Sequence, residues 1–190
     1  MSDIKNDSCI KNVIQKIASK THARGYESNY TKGSNFSQIL PFLYMGGAEV
    51  ASDTKLLTNL GISHILNCAA GEVDTDEAFY AKREMNVKYM EFCAEDCYNY
   101  DMMQHYPDAF DFIEDCRASN GKIYVHCQMG VNRSGCMVTA YIMELNKLGP
   151  IGAVQFVREH RGFILDNKEF LRQLISHAEN KGYLERDGEL

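Results

Sequence analysis

Short apolar runs alternate with amphipathic stretches along most of the chain. The runs of strand length are ILPFLYMGG (39–47), ISHILNCAA (62–70), VKYMEFCA (87–94) and KIYVHC (122–127). Helical spacing of apolar residues, with caps at several ends, occurs at 52–61, 102–119, 133–147, 150–160 and 167–181. Ser52 is the expected N-cap of the first of these helices, and Gly61 ends it. The order predicts an α/β fold with a central, mostly parallel sheet flanked by helices.

The first 34 residues are polar apart from one amphipathic stretch, CIKNVIQKIAS (9–19). Its apolar side chains fall on one helical face: Ile10, Val13, Ile14 and Ile17. Two interpretations remain open. The helix packs on the folded domain, or the following linker lets it contact a partner, as in a homodimer.

Composition restricts the classes of protein. With 45% hydrophobic and 24% charged residues among 190, the chain is expected to form one soluble globular domain. A net charge of −6 disfavours general affinity for nucleic acids or membranes, although a local anion site is compatible with it. Seven cysteines, an odd number, and a start without a hydrophobic signal segment predict reduced thiols in a cytoplasmic or nuclear protein. Cys93-x3-Cys97 lacks a second ligand pair, so zinc is not expected.

The segment KIYVHCQMGVNRSGCMVTAYIM (122–143) runs from a predicted strand through a loop into a predicted helix. Free N–H groups at such a junction bind anions, Gly130 permits a tight turn, and the Arg133 guanidinium matches two phosphate oxygens. Cys127 at the loop entrance would have its thiolate stabilised by the same groups. A lone cysteine at a strand end is more often a buried small residue. The spacing to Arg133, with His126 before Cys127 and Ser134 after Arg133, favours a nucleophile that attacks phosphorus.

HCQMGVNRSG resembles the HCxxGxxR[ST] signature of the cysteine-dependent protein tyrosine phosphatase superfamily. Three further segments are similar to the small dual-specificity phosphatase domain: ILPFLYMGGAEVASDTKLLTNLGISHILNCAAGE, VKYMEFCAEDC and VREHRGFILDNKEFLRQL. They occur in the order of that domain and span roughly residues 39–181. The resemblance, to the atypical single-domain group, implies a catalytic domain over 35–185, preceded by an N-terminal helix and linker over 1–34.

The resemblance also implies roles for the residues of the loop. Cys127 forms a phosphocysteine intermediate, Arg133 binds the phosphate, and Ser134 stabilises the thiolate as it leaves. The phosphate oxygens are surrounded by the amides of Gln128, Met129, Gly130, Val131, Asn132 and Arg133. No metal or cofactor is expected, because Arg133 and the amides neutralise the dianion.

Residues outside the loop complete the implied site. Asp96, after the strand VKYMEF, matches the general acid, with Glu95 and Asp101 as alternatives. His126 is expected to fix the loop and tune the sulfur through hydrogen bonds. Asn167 matches an asparagine that buttresses the loop. Arg161 either lines the site or is a surface arginine.

Phosphoinositide phosphatases of the same superfamily tend to have lysines in this loop. The loop here has none between Cys127 and Arg133, so the resemblance disfavours inositol lipids as substrates. A small domain without a deep phosphotyrosine-recognition segment implies a shallow site for phosphotyrosine and phosphoserine or phosphothreonine in protein substrates.

Two positions depart from the commonest family pattern. Asn132 stands where serine is usual, and Gly135 where alanine or proline is frequent. VNRSG resembles the poxvirus member of the family and also the NRTG of RNA 5′-triphosphatases. An RNA 5′-triphosphatase is therefore an alternative, as is a non-enzymatic phosphoprotein-binding module.

Overall fold

The structure, a computed structural model, describes residues 10–19 and 36–184. The strands are β1 (Phe36–Leu40), β2 (Leu43–Gly46), β3 (His64–Asn67), β4 (Lys88–Glu91) and β5 (Ile123–His126). The helices are α1 (10–19), α2 (Ala48–Ala51), α3 (Thr54–Leu60), α4 (Glu77–Ala81), α5 (Tyr106–Ala118), α6 (Arg133–Asn146), α7 (Pro150–Arg161) and α8 (Lys168–Asn180). A 3₁₀ helix, Met102–His105, leads directly into α5.

The five strands form one sheet in the order β1-β2-β5-β3-β4. β1 is antiparallel to β2, and every other neighbouring pair is parallel. β5 is central and fully buried, as expected for an apolar strand in a parallel sheet. The predicted α/β fold, with a mostly parallel sheet flanked by helices, is confirmed.

Alternating side chains of the strands enter two separate cores on opposite faces of the sheet. Ile123 and Val125 of β5 point into the larger core, which contains residues of α5, α6, α7 and α8. Tyr124 points into the smaller core, with Val50 of α2, Leu57 of α3 and Tyr80 of α4. The helices therefore cover both faces, and the carboxyl edge of the parallel strands remains open to loops.

The segment around residue 40 departs from the prediction of one strand. β1 and β2 form a hairpin that turns at Pro41 and Phe42, because proline has no N–H to donate to a strand partner.

The start of α3 is a second correction. Asp53, not Ser52, caps this helix, since its carboxylate accepts the N–H of Leu56 at 3.0 Å. Ser52 instead follows the short helix α2, and its hydroxyl donates to the carbonyl of Ala48 at 3.0 Å. The sequence prediction did not include α2 or α4.

Helix α1 packs on the domain of its own chain. Ile17 is buried in the larger core, with Val13 and Ile14 partly buried against it. Nη1 of Arg158 in α7 donates to the carbonyl of Ile17 at 3.4 Å. A homodimer contact through this region stays a prediction, as does the domain division at 34/35. Residues 1–9, the linker 20–35 and the end of the chain, 185–190, lie outside the described residues.

No helix within 10–19 and 36–184 combines the length and the apolar character needed to cross a membrane.

Candidate active site

Cys127 lies directly after β5, at the carboxyl edge of the parallel strands, where α/β proteins commonly bind ligands. Its side chain is 2% exposed, so the sulfur sits at the bottom of the loop that follows. Sγ lies 3.3 Å from Oγ of Ser134, a hydrogen-bond contact in which either group can donate. Ser134 belongs to the first turn of α6, so the sulfur also faces the start of a buried helix. We refer to residues 128–132 as the phosphate loop.

Most carbonyl groups of the phosphate loop accept hydrogen bonds from residues outside the loop. They accept hydrogen bonds in four places: Gln128 from Ala48 N at 3.0 Å, Gly130 from Arg161 Nε at 3.4 Å, Val131 from Leu165 N at 3.2 Å and Asn132 from Cys136 N at 2.7 Å. The N–H groups from Gln128 to Arg133 have no acceptor among the described residues. Consecutive backbone N–H groups left unpaired at a helix start form an anion-binding concavity.

Gly130 is required by the shape of this loop. Its φ is +67°, in the left-handed region that favours glycine. A Cβ at this position would lie 2.3 Å from the carbonyl carbon of Gly46 at the end of β2. No side chain fits there, so a close approach of two backbones fixes the turn.

Arg133 is 4% exposed and is held by two protein acceptors. Nη1 donates to the carbonyl of Ala94 at 2.9 Å, and Nη2 pairs with the carboxylate of Glu72 at 2.9 Å. Nε is buried and has no partner in the described part of the chain. Burial alone would lower the pKa of Arg133, but the Glu72 hydrogen bond and the negative charges of Cys127 and Asp96 raise it overall. Arg133 is therefore a fixed cation whose buried Nε–H has no acceptor among the described residues.

Asp96 lies on the exposed loop after β4, beside the phosphate loop. Its Oδ2 accepts from Nδ2 of Asn132 at 3.0 Å, and its Oδ1 accepts from Nδ2 of Asn167 at 2.9 Å. The two alternatives make other contacts: Asp101 caps the 3₁₀ helix through the N–H of Met103, and Glu95 accepts from the Cys97 thiol. The geometry favours Asp96 as the acid.

Asn167 is the N-cap of α8, and its Oδ1 accepts the N–H of Glu169 at 3.0 Å. Its backbone N–H donates to Oδ1 of Asn132 at 3.1 Å. Asn167 thus contacts the phosphate loop through its backbone and the loop of Asp96 through its side chain.

The environment of His126 differs from the expectation. The ring is fully buried and stacks on Tyr124, with the ring planes inclined by 21°. Neither ring nitrogen has a hydrogen-bond partner among the residues that the structure describes. Burial lowers the pKa of His126 to about 4, outweighing a backbone contribution from Cys127 that raises it. His126 is therefore neutral at pH 7, and its role in fixing the loop and tuning the sulfur stays a prediction.

The buried His126 leads to a prediction for stability. The pKa of His126 is about 4 in the folded protein, against an ordinary value of 6.5 that applies to the unfolded chain. As the pH falls, the unfolded chain therefore takes up the proton first. The contribution to stability is complete above pH 6.5 and is lost between pH 6.5 and 4, by about 3 kcal/mol. Urea unfolding from pH 7 to 4 should show this decline, and His126→Asn should reduce it.

His160→Asn, at an exposed histidine of α7, is the matched control for the substitution itself. Burial also lowers the pKa of three other histidines, so part of the slope will remain in His126→Asn: His64, His105 and His177. An identical slope in His126→Asn and the wild type would contradict the assignment.

Arg161 is 8% exposed and lies against the phosphate loop through its bond to the Gly130 carbonyl. The alternative of a plain surface arginine is therefore wrong. The structure has room for a side chain at Gly135, because a Cβ there would make ordinary contacts of 3.5 Å or more with Ile164 and Leu165. Available space does not dictate glycine at this position.

Sequence reasoning missed Glu72 and the Ala94 carbonyl as partners of Arg133. A buried arginine requires acceptors, but no local spacing indicates which distant residues supply them. The contacts arise because the loops after β3 and β4 meet the start of α6.

Comparisons with known proteins agree with this geometry. The family model described as dual specificity phosphatase, catalytic domain, matches residues 43–180. Dual specificity protein phosphatase 26 of Bos taurus is 36% identical over 148 residues, covering 77% of this chain and 68% of the relative. Human dual specificity protein phosphatase 1 is 34% identical over 138 residues, covering 73% of this chain and 36% of the relative.

Among solved structures, the chain is similar to human tyrosine phosphatase-like serine/threonine/tyrosine-interacting protein. The TM-score is 0.69 at 26% identity, covering 77% of this chain and 97% of the other.

The fold and the loop together define a cysteine-dependent phosphatase of α/β architecture. The chain belongs to the dual-specificity phosphatase family, and it is a dual-specificity protein phosphatase of the small, atypical kind. Phosphorylated proteins are accordingly its class of substrate. The alternatives of an RNA 5′-triphosphatase and a binding module are not favoured by these relatives.

Proposed function

We propose that the chain hydrolyses phosphoproteins through a phosphocysteine intermediate formed on Cys127. One observation carries the proposal. Four carbonyls of the phosphate loop accept hydrogen bonds from neighbouring segments, and within the described residues the N–H groups from Gln128 to Arg133 stay unpaired beside a buried cysteine. This arrangement binds a tetrahedral anion and stabilises a thiolate at its base, which is what attack on a phosphate ester requires.

In the first step the Cys127 thiolate attacks phosphorus. A P–S bond forms while the P–O bond to the substrate breaks, and its electron pair stays on the leaving oxygen. Asp96 gives that oxygen a proton, so the product leaves as a neutral alcohol or phenol. The position of Asp96 beside the phosphate loop, held on both carboxylate oxygens, supports this role.

In the second step Asp96, now ionised, takes a proton from water as the water oxygen attacks phosphorus. The P–S bond breaks, its electron pair returns to sulfur, and inorganic phosphate is released. The 3.3 Å contact with Ser134 Oγ allows the hydroxyl to donate to the departing thiolate. Ser134 thereby lowers the barrier for regenerating Cys127.

Arg133 supplies the positive charge at the phosphate. Buried donors rarely remain without partners, and the free Nε of Arg133 matches a phosphate oxygen. Ala94 and Glu72 fix the guanidinium plane, so the charge is oriented before substrate binds. Arg161 supports the loop from its buried side through Gly130.

Apolar side chains on neighbouring loops support a protein rather than an RNA substrate. The large hydrophobic residues most exposed in the described chain are Tyr98 (70%), Met129 (66%) and Phe163 (48%). They belong to the loop of Asp96, the phosphate loop and the α7–α8 loop, respectively. Such residues suit a peptide segment beside the phosphorylated residue. RNA bases also stack on aromatic side chains, but RNA contact needs basic clusters beside them. The net charge of −6 disfavours binding to nucleic acids and membranes, so the proposal includes neither as a partner.

A cytoplasmic or nuclear location is part of the proposal, because a nucleophilic thiol must remain reduced and these compartments keep thiols reduced.

Four substrates test the proposal through released phosphate: a phosphotyrosine peptide, a phosphothreonine peptide, a phosphoinositide and RNA with a 5′-triphosphate. We expect release from both peptides and little from the other two. Acid quenching during turnover of a radiolabelled phosphotyrosine peptide should trap up to one phosphoryl group per chain. Faster release from RNA than from either peptide would contradict the proposal, as would turnover without a trapped intermediate.

A further inference from the structure

The side chain of Asn132 joins three loops at the edge of the site. Its Nδ2 donates to Oδ2 of Asp96 at 3.0 Å. Its Oδ1 accepts the backbone N–H of Asp166 at 2.8 Å and that of Asn167 at 3.1 Å. One carboxamide therefore connects the phosphate loop, the loop of Asp96 and the loop that enters α8.

The partners fix the orientation of this carboxamide. Backbone N–H groups can only donate, so the oxygen of Asn132 must face Asp166 and Asn167. The NH₂ group must then face Asp96. Because Nδ2 of Asn167 holds the other oxygen of Asp96 at 2.9 Å, each carboxylate oxygen has one amide donor. The carboxyl group is thus set in position on an exposed loop that contains no helix or strand at that point.

Asn132 also departs from the usual behaviour of its position. It is the N-cap residue of α6, where an asparagine side chain ordinarily accepts an N–H of the first helical turn. Here the side chain makes no such bond, because it is engaged with the two neighbouring loops. A residue that breaks the local rule in favour of distant contacts is typical of a functional site.

We propose that Asn132 is the positioning residue of the general acid, an inference that rests on the proposed function. Serine is the usual residue before the arginine in the dual-specificity phosphatase family. It has a single side-chain oxygen on a shorter side chain. A carboxamide can accept from the α8 loop and at the same time donate to Asp96. Asn132 thereby places the proton of Asp96 for transfer to the leaving oxygen as the P–O bond breaks.

Substrates differ in how much they need this proton. Alcohol and unactivated phenol leaving groups require protonation as they depart, whereas 4-nitrophenolate leaves readily without it. Asn132 should therefore matter most for phosphothreonine, phosphoserine and phosphotyrosine, and least for an activated aryl phosphate.

The test compares kcat/KM for phenyl phosphate with that for 4-nitrophenyl phosphate, taken as a ratio. In Asn132→Ala and Asn132→Asp the ratio should fall about tenfold or more, because part of the general-acid contribution is lost. Asn132→Asp keeps the acceptor for Asp166 and Asn167 and replaces the donor to Asp96 with a carboxylate oxygen that repels it. In an Asp96→Asn background, adding Asn132→Ala should leave the ratio as it is in Asp96→Asn alone.

Asn99→Ala is the matched control, since Asn99 is exposed in the loop of Asp96, and its ratio should equal that of the wild type. Equal losses on both substrates in Asn132→Ala would overturn the inference. So would a normal ratio in Asn132→Asp, which would assign the effect to the α8 loop. A wild-type protein that hydrolyses neither substrate would refute the proposed function itself, a different result from a variant whose ratio is unchanged.

Discussion

Replacing Cys127 with serine is expected to abolish turnover while the phosphate site remains. The serine hydroxyl stays protonated at neutral pH, so no nucleophilic anion forms at the base of the loop, and kcat should fall by at least about 10⁴-fold. The unpaired N–H groups and Arg133 are unaffected, so a phosphotyrosine peptide should still bind. Phosphate release measures the first effect, and fluorescence polarisation of a labelled peptide measures the second.

Cys93→Ser is the control for this prediction. Cys93 is exposed and outside the phosphate loop, so its replacement should preserve both turnover and peptide binding. Turnover that survives in Cys127→Ser would show that another group is the nucleophile. If turnover and peptide binding disappear together, a thermal melt will distinguish an unfolded variant from a site that depends on the sulfur for binding.

The long, periodic elements could be predicted from sequence because their patterns are strong. β3 and β5 are fully buried strands within largely apolar runs, and α5 to α8 repeat apolar residues over three turns or more. The turn at Pro41 and the short helices α2 and α4 escaped prediction. A helix of one turn has too few residues to show a period, so its formation depends on packing against the sheet.

The centre of the site could be predicted for a different reason. Cys127, the loop amides, Arg133 and Ser134 are contiguous in the chain, so their spacing alone indicates a phosphate cradle. Asp96 could be predicted as the general acid only from the resemblance to the phosphatase family, because no local pattern distinguishes it from Glu95 or Asp101. The structure separates them by contacts, since Asp101 caps a helix and Asp96 meets the phosphate loop.

Contacts between distant segments could not be predicted. Glu72 reaches Arg133 because β3 and β5, far apart in sequence, end at one edge of the sheet. Asn167 reaches Asp96 because the loop between α7 and α8 lies beside the loop that follows β4. In sequence, Asn132 was a departure from the common pattern that suggested an RNA-directed relative. In the fold, the same residue has a structural reason, because its carboxamide contacts Asp96 and the loop before α8.

Replacing Arg133 with lysine should be nearly as damaging as removing the nucleophile, although the charge is conserved. The planar guanidinium donates in separate directions to Ala94 and Glu72 and still presents Nε. A lysine ammonium has its donors at a single point and cannot reproduce this fork. We expect kcat/KM for 4-nitrophenyl phosphate to fall by about 10³-fold or more, as when an arginine that stabilises phosphoryl transfer is lost.

The matched control is Arg83→Lys, at an exposed arginine whose Nη1 contacts the Phe79 carbonyl, and it should retain wild-type activity. Inorganic phosphate as a competitive inhibitor gives a second measurement, since Arg133→Lys should weaken phosphate binding along with catalysis. A thermal melt is needed beside it, because Glu72 loses a bound partner in this variant. If Arg133→Lys folds and keeps kcat/KM within tenfold of the wild type, positive charge alone is sufficient. The two contacts that orient the guanidinium would then serve the fold of the loops rather than the reaction.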